Sequence, residues 1–357
     1  MGRPVIRGGA MDANDQVRAL RWDGVTLQIL DQRLLPGEVR WLVATDASET
    51  ARAIHDMAVR GAPAIGLAGA YGLVMAARAL AGADASGWQA GIAAAVRLLA
   101  ASRPTAVNLA GALSHLEIIA RQGAPGDWQA LERAADGLWV ADLAANRRMG
   151  ELGSAYLAPG TQVLTHCNTG SLATAGLGTA LGVIRTAWAQ DRLARVFATE
   201  SRPWLQGARL TSWELNRDGI PVSLIVDSAA AFFMARGEID WVIVGADRIT
   251  ANGDVANKIG TYALAVAARH HGLRFMVVAP STTVDLALAE GGEIPIEFRG
   301  PEEVLRLAGR AGPEPLLEAP NPVFDVTPAA LIDVLVTEKG AIERPDARTL
   351  AALMARS

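Results

Sequence analysis

One cysteine, Cys167, stands in 357 residues. With a single thiol no disulfide can close within the chain, and no cysteine-built metal site can form. A reducing cytosol is the simplest home for such a chain, so a cytoplasmic location is expected. The five histidines, His55, His115, His166, His270 and His271, show no H-x-x-x-H or H-E-x-x-H spacing, which removes the usual metal-ligand patterns. Neither sign of charge dominates: 33 Lys plus Arg oppose 37 Asp plus Glu, for a net charge of -4. That balance gives no reason to expect a nucleic-acid partner, which calls for a basic patch, though a small local cluster of Arg and Lys can still hold a phosphate. Met1–Ala10 carries Arg3 and Arg7 but no apolar stretch behind them, so it does not read as a secretory signal. Gly2 does not read as a myristoylation site, because Ile6 stands where Ser or Thr is needed. A membrane span needs about 20 strongly apolar residues. Ala62–Leu80 comes nearest, but Arg78 interrupts it and Gly and Ala dilute it, so it reads as a buried helix. Two nucleotide signatures are also wanting. Nothing fits G-x-x-x-x-G-K-[ST], and Gly176-Leu177-Gly178 is followed by Gly182, one place late for G-x-G-x-x-G. There is no G-x-S-x-G serine elbow.

What is present is an apolar chain, 51% hydrophobic, too long for one ordinary core. Val25–Leu30 and Val39–Ala44 read as short strands around the turn signal Leu35-Pro36-Gly37. Helical spacing follows over Thr50–Arg60, with Ser48 as N-cap, then over Ala64–Leu80, Gly87–Ala101, Ala106–Arg121 and Asp127–Leu157. Pro159-Gly160 ends this region. Beyond it, runs rich in Val, Ile and Leu at 163–165, 196–198, 222–226, 241–244 and 275–278 alternate with helices at 172–190, 203–217, 228–235 and 259–271. That alternation predicts an α/β fold with a parallel sheet. The expected division is a flexible tail at 1–19, a helical domain with a small sheet at 20–158, and a parallel-sheet domain at 159–357.

Polar residues follow each strand of the second half: His166-Cys167-Asn168, Thr199-Glu200-Ser201-Arg202, Asp227-Ser228, Gly245-Ala246-Asp247-Arg248 and Ala279-Pro280-Ser281. Ligands of open parallel sheets bind at those carboxyl ends. Cys167 at a strand-to-helix turn is placed where a helix N-terminus favours thiolate, although a small buried hydrophobe fits the residue equally well. Asn168-Thr169-Gly170-Ser171 offers amides and hydroxyls to a small phosphate, or simply tight packing. Asp247 ends an uncharged strand and suits acid–base work, or else pairs with Arg248. After the turn signal Asn252-Gly253-Asp254, Asn257-Lys258 opens a helix, where Lys258 can meet a phosphate or stand exposed. Arg60 and Arg103 lie beside chain breaks and can grip phosphate or lie on the surface. Gln206 begins a helix after Trp204-Leu205, a candidate apolar wall. His166 and Cys167 are strand neighbours that point to opposite faces, which argues against a Cys–His dyad.

The chain resembles the methylthioribose-1-phosphate isomerases. The likeness rests on LLPGE at 34–38, VRGAPAIG at 59–66, RPTAVNL at 103–109, THCNTGSLATAG at 165–176, ATESRPWLQGARLTSWEL at 198–215, VGADRITANGDVANKIGTY at 244–262 and NPVFDVTPAALI at 321–332. It spans about Arg21 to Ile342, and that many motifs in this order are highly specific. The resemblance implies a mainly helical N-terminal domain with a small sheet, a Rossmann-like C-terminal domain and a homodimer. It implies no cofactor and no metal, and a small sugar phosphate as the partner. The activity it implies is conversion of 5-methylthioribose 1-phosphate to 5-methylthioribulose 1-phosphate in methionine salvage. By the same resemblance Cys167 and Asp247 are catalytic, and Arg60, Gly61, Ala62, Arg103, Gln206, Asn257 and Lys258 bind substrate. Two other functions share the pattern. A ribose-1,5-bisphosphate isomerase would need a basic pocket where Trp204-Leu205 offers an apolar one. A translation-factor regulatory subunit would act through protein contacts and needs neither Cys167 nor Asp247.

Overall fold

The computed structural model describes residues 15–104, 106–305 and 318–356. Near the start, β1 (Leu20–Trp22), β2 (Leu27–Leu30) and β3 (Trp41–Ala44) pair in that order as an antiparallel sheet. Alternation along it buries Leu20, Trp22, Leu27 and Ile29 on one face. Five helices follow: α1 (Ala47–His55), α2 (Ala62–Ala79), α3 (Ala85–Ala101), α4 (Val107–Gln122) and α5 (Trp128–Ser154). Asp46, rather than Ser48, caps α1, its carboxylate accepting the Glu49 N–H. The helix therefore starts before Thr50, and it ends at His55, short of Arg60. The apolar stretch α2 is long and apolar enough to cross a membrane, and most of it is buried against α1, α3 and α4. Trp22 stacks on Tyr71 at 4.9 Å between ring centroids. The Trp22 indole N–H donates to Glu132 and the Tyr71 hydroxyl to Asp136, both at 2.9 Å. Their polar ends are thus satisfied while the rings supply core area.

The later elements are β4 (Thr161–Thr165), α6 (Ala180–Ala189), β5 (Leu193–Thr199), α7 (Ser212–Arg217), β6 (Val222–Ile225), α8 (Ala230–Ala235), β7 (Trp241–Val244), β8 (Arg248–Thr250), β9 (Val255–Lys258), α9 (Thr261–His270), β10 (Arg274–Val278), β11 (Val284–Asp285), α10 (Glu302–Leu305), β12 (Phe324–Thr327), β13 (Val334–Thr337), β14 (Gly340–Glu343) and α11 (Ala347–Met354). Seven strands form one sheet in the order β14-β13-β10-β7-β4-β5-β6, parallel except for β14. The chain starts at β4, winds outward through β5 and β6, then returns to β7 on the other side of β4. This is the doubly wound order, with its reversal between β4 and β7. Val163, Leu164, Val242, Val244 and Val277 are fully buried, as a sheet covered on both faces requires. A second sheet, β11-β8-β9-β12, was not foreseen; its strands are too short to show a period of their own.

The chain forms two compact units. The first runs to Arg147 and takes in Thr169–Gly178; the second is Arg148–Asn168 with Thr179–Ser357. The expected boundary at 158/159 falls inside the second unit, because α5 runs unbroken past Arg147. Of the expected tail at 1–19, the first 14 residues lie outside the described ones. Asp15, Val17, Arg18 and Ala19 are buried. The Asp15 carboxylate accepts the Ser171 hydroxyl at 2.5 Å, the Leu177 N–H at 3.0 Å and Arg18 Nη1 at 2.8 Å. Ser171 and Leu177 are remote in sequence, so nothing local announces that the segment is fixed to them.

Asp15→Ala would leave Arg18 buried without its carboxylate. Removing one partner of a buried pair costs about 3–5 kcal/mol. Urea unfolding followed by tryptophan fluorescence checks this, and a loss below about 1 kcal/mol, the worth of an exposed pair, contradicts it.

Candidate active site

Two of the expected residues leave the seven-stranded sheet at its reversal point. Cys167 lies just past the end of β4 and Asp247 just past the end of β7. These strands are parallel neighbours, with Val163 opposite Trp241 and Leu164 opposite Val242, so both residues emerge at the same edge. A crevice at that edge is where a doubly wound sheet receives ligands.

Cys167 is buried and free, with φ of 64°. A side chain at such a backbone angle costs about 1–3 kcal/mol and persists only where the surroundings hold it. Here both backbone groups are held: the Cys167 N–H donates to Ser201 Oγ at 2.7 Å, and its carbonyl accepts the Thr211 hydroxyl at 2.5 Å. The helix expected from Leu172 begins instead at Ala180, after a short 3-10 turn at Ser171–Ala173. Gly176 and Gly178, both at positive φ, keep the intervening chain out of a helix. The helix-terminus argument therefore does not carry over to Cys167.

His166 is also buried, and both its ring nitrogens are engaged. Nε2 lies 2.9 Å from the Ile259 carbonyl, which can only accept, so Nε2 carries the hydrogen; Nδ1 accepts the Thr199 hydroxyl at 2.6 Å. Burial pushes the imidazole below its ordinary pKa, outweighing the Ile259 hydrogen bond and the charge of Asp227. With both nitrogens occupied, His166 is not a base for the neighbouring thiol.

Asp247 is half-buried, and its N–H donates to the Ala256 carbonyl at 2.9 Å. That bond ties it beside β9, which ends in Asn257 and Lys258. Arg248 stands 3.6 Å from Asp285. Asn257 and Lys258 do not open a helix. They end a buried strand, because β9 pairs with β8 on one side and β12 on the other. Lys258 Nζ donates to the Val323 carbonyl at 2.9 Å and sits over the Phe324 ring. Asn257 Nδ2 donates to Thr261 at 3.0 Å. Asp325, cross-strand from Asn257, accepts the Gly260 and Tyr262 N–H groups; burial nonetheless raises its carboxyl pKa.

Gln206 follows β5 and is buried. Among the described residues its side-chain oxygen meets no donor. The expected helix at 203–217 is instead a turn of π-helix at Gly207–Thr211 running into α7. Gly207 lies so close to β5 that a Cβ there would overlap the Thr199 carbonyl oxygen. The carboxylate of Asp227, at the end of β6, accepts the N–H groups of Ser201 and Arg202, both at 2.7 Å. Trp204 is half-buried with the Arg209 guanidinium 4.3 Å over its ring.

The other expected residues lie in the first unit. Arg60, Gly61 and Ala62 lead into α2, and Gly61 (φ 94°) lies where a Cβ would stand 2.5 Å from that of Ala173. Arg103, half-buried, precedes α4; Thr105 of the same motif lies outside the described residues. Ser201, Thr211 and Glu214 escaped the sequence as site residues. Ser201 had the position of a strand-end residue, but a π-turn has no sequence signal that would point to Thr211.

The profile of the initiation factor 2 subunit family matches residues 58–344. A methylthioribose-1-phosphate isomerase of Thioalkalivibrio sulfidiphilus (strain HL-EbGR7) is 57% identical over 342 residues, covering 96% of this chain and 98% of its own. The crystal structure of 5-methylthioribose 1-phosphate isomerase from Pyrococcus horikoshii OT3 superposes with a TM-score of 0.90 at 42% identity, covering 96% and 97%. That of translation initiation factor eIF-2B, subunit delta, from A. fulgidus gives 0.85 at 40%, covering 94% and 100%.

The buried neutral His166 sets a pH dependence. Its folded pKa is lowered, so the unfolded chain takes up the proton first as pH falls. Its stabilising share is complete above about pH 6.5 and is lost below it at up to about 1.4 kcal/mol per pH unit. His166→Asn should flatten the stability–pH curve between about pH 6.5 and 5; an unchanged slope contradicts the assignment. Gly207→Ala should abolish folding or turnover, and a fully active, equally stable variant would show that the turn moves freely from β5.

Proposed function

The chain belongs to the initiation factor 2 subunit family, and from that premise we propose that it isomerises 5-methylthioribose 1-phosphate to 5-methylthioribulose 1-phosphate. It is an isomerase of methionine salvage. The observation that carries the chemistry is the pair Cys167 and Asp247, leaving neighbouring parallel strands where the winding reverses. The near full-length likeness to methylthioribose-1-phosphate isomerases supports the substrate.

The phosphate on C1 prevents the sugar ring from opening as a free sugar does, so opening needs an acid at the ring oxygen. Asp247 in its protonated form delivers that proton as the C1–ring oxygen bond breaks. The C2 hydrogen then moves to C1. In one route a Cys167 thiolate removes it as a proton, the electron pair forms the C1–C2 double bond, and the thiol returns the proton to C1. In the other it crosses directly as a hydride, and Cys167 shapes the field around it. In both, the C2 hydroxyl proton passes to the Asp247 carboxylate as the ketone forms, which restores the acid. Arg60, Gly61, Ala62, Arg103, Gln206, Asn257 and Lys258 hold the substrate: cations grip its phosphate, and the amides meet its hydroxyls. The half-buried Trp204 and Leu205 offer an apolar wall to the methylthio end, which favours this substrate over a bisphosphate. The reaction uses no cofactor, and the protein works as a cytoplasmic homodimer.

Purified protein mixed with 5-methylthioribose 1-phosphate, without added cofactor or metal, should yield the ketone by NMR. Cys167→Ser and Asp247→Asn, checked to be folded, should each lower kcat at least about 100-fold. Absence of turnover by the native chain overturns the reading and favours a bisphosphate substrate or a regulatory role. In heavy water, full deuterium entry at product C1 excludes the hydride route, and none excludes exchange through the thiol.

A further inference from the structure

Behind Cys167 lies a chain of buried polar contacts that the reaction does not itself use. Thr211, fully buried, donates to the Cys167 carbonyl at 2.5 Å and accepts from Asn168 Nδ2 at 3.3 Å. Asn168 Nδ2 also donates to Glu214 Oε1 at 2.9 Å. The second Glu214 oxygen accepts Arg185 Nη2 at 2.8 Å, and the same guanidinium donates to Asp218 through Nε at 2.8 Å and Nη2 at 2.5 Å. Arg185, Glu214 and Asp218 are all buried, with no side-chain exposure for the Arg185–Glu214 pair. Two carboxylates sharing one buried guanidinium are poor value as a source of stability, since apolar residues would fill the space as well. Their arrangement has a geometric consequence. It fixes both oxygens of Glu214, which fixes Asn168, and with it the hydroxyl of Thr211. The π-helical turn at Gly207–Thr211 brings Thr211 to this point, and such turns recur at functional sites.

We propose that Thr211, held by Asn168 and the Arg185–Glu214–Asp218 cluster, is the positioning residue that locks Cys167 in its left-handed backbone conformation and so aims the thiol. The kinetic part of this proposal rests on Cys167 being catalytic. Thr211 does not touch the substrate; it acts through the Cys167 carbonyl. Without its hydroxyl, that buried carbonyl loses its donor, and the backbone relaxes toward an ordinary φ. The thiol then turns away from its working direction.

The test compares Thr211→Val, which keeps the shape, with Thr211→Ser, which keeps the hydroxyl. Thr211→Val should lower kcat at least about ten-fold with KM changed less than about two-fold, and Thr211→Ser should stay within about three-fold of the native kcat. A Thr211→Val kcat equal to the native one, or a Thr211→Ser loss as large as that of Thr211→Val, overturns the proposal. A second measurement needs no turnover. The pH dependence of iodoacetamide labelling reads Cys167 alone, because the chain has no other thiol. Its midpoint should move by at least about half a pH unit in Thr211→Val and stay in place in Thr211→Ser. An unmoved midpoint in Thr211→Val overturns the proposal, even if the isomerase reading itself were wrong.

Discussion

A parallel sheet that winds outward in both directions from its first strand must reverse once, and at the reversal the two flanking connections part. In this chain the reversal lies between β4 and β7. Much else in the second unit follows from it. The residues past β4 and β7 need not pack under a crossover helix, so a thiol and a carboxyl can stand there. The loops past β5 and β6 supply Ser201 and Asp227, which steady the backbone around the thiol.

That steadying is the second requirement. A cysteine at positive φ is a local cost, and it recurs only where several partners act at once. Here a hydroxyl takes its N–H, another hydroxyl meets its carbonyl, and the imidazole before it is fixed at both nitrogens. Asp247 is tied through its backbone N–H to the hairpin of β8 and β9. Asn257 and Lys258 end the same hairpin, so one short sheet carries both the proposed acid and two residues proposed to bind substrate. Cys167, Asp247, Asn257 and Lys258 thus all stand at or just past strand ends.

Much of this was readable in advance, for a physical reason. β4, β7 and β10 lie inside the sheet and stand out as apolar runs, and all five strands predicted in the second half occur within a few residues of their expected places. Because the strands were readable, so were their carboxyl ends, and with them Cys167 and Asp247. Other features depend on contacts far apart in sequence. The small sheet of β8, β9, β11 and β12 joins strands of two to four residues, too short to show periodicity. Without that periodicity, the sequence around Asn257 and Lys258 resembles the start of a helix. Glycines at positive φ delayed α6 to Ala180, where apolar spacing alone suggested an earlier start. Asp15 looked like part of a tail, since its partners Ser171 and Leu177 lie in a distant loop.

A substrate seated over the thiol at the β4–β7 reversal shields Cys167 from reagents in solution. Because Cys167 is the only cysteine, its labelling by iodoacetamide, read by mass spectrometry, reports on that one position. Saturating 5-methylthioribose 1-phosphate should slow the labelling of Cys167 in proportion to its occupancy of the enzyme. Labelling at the same rate with and without substrate, while the enzyme turns over, would place the reaction away from Cys167.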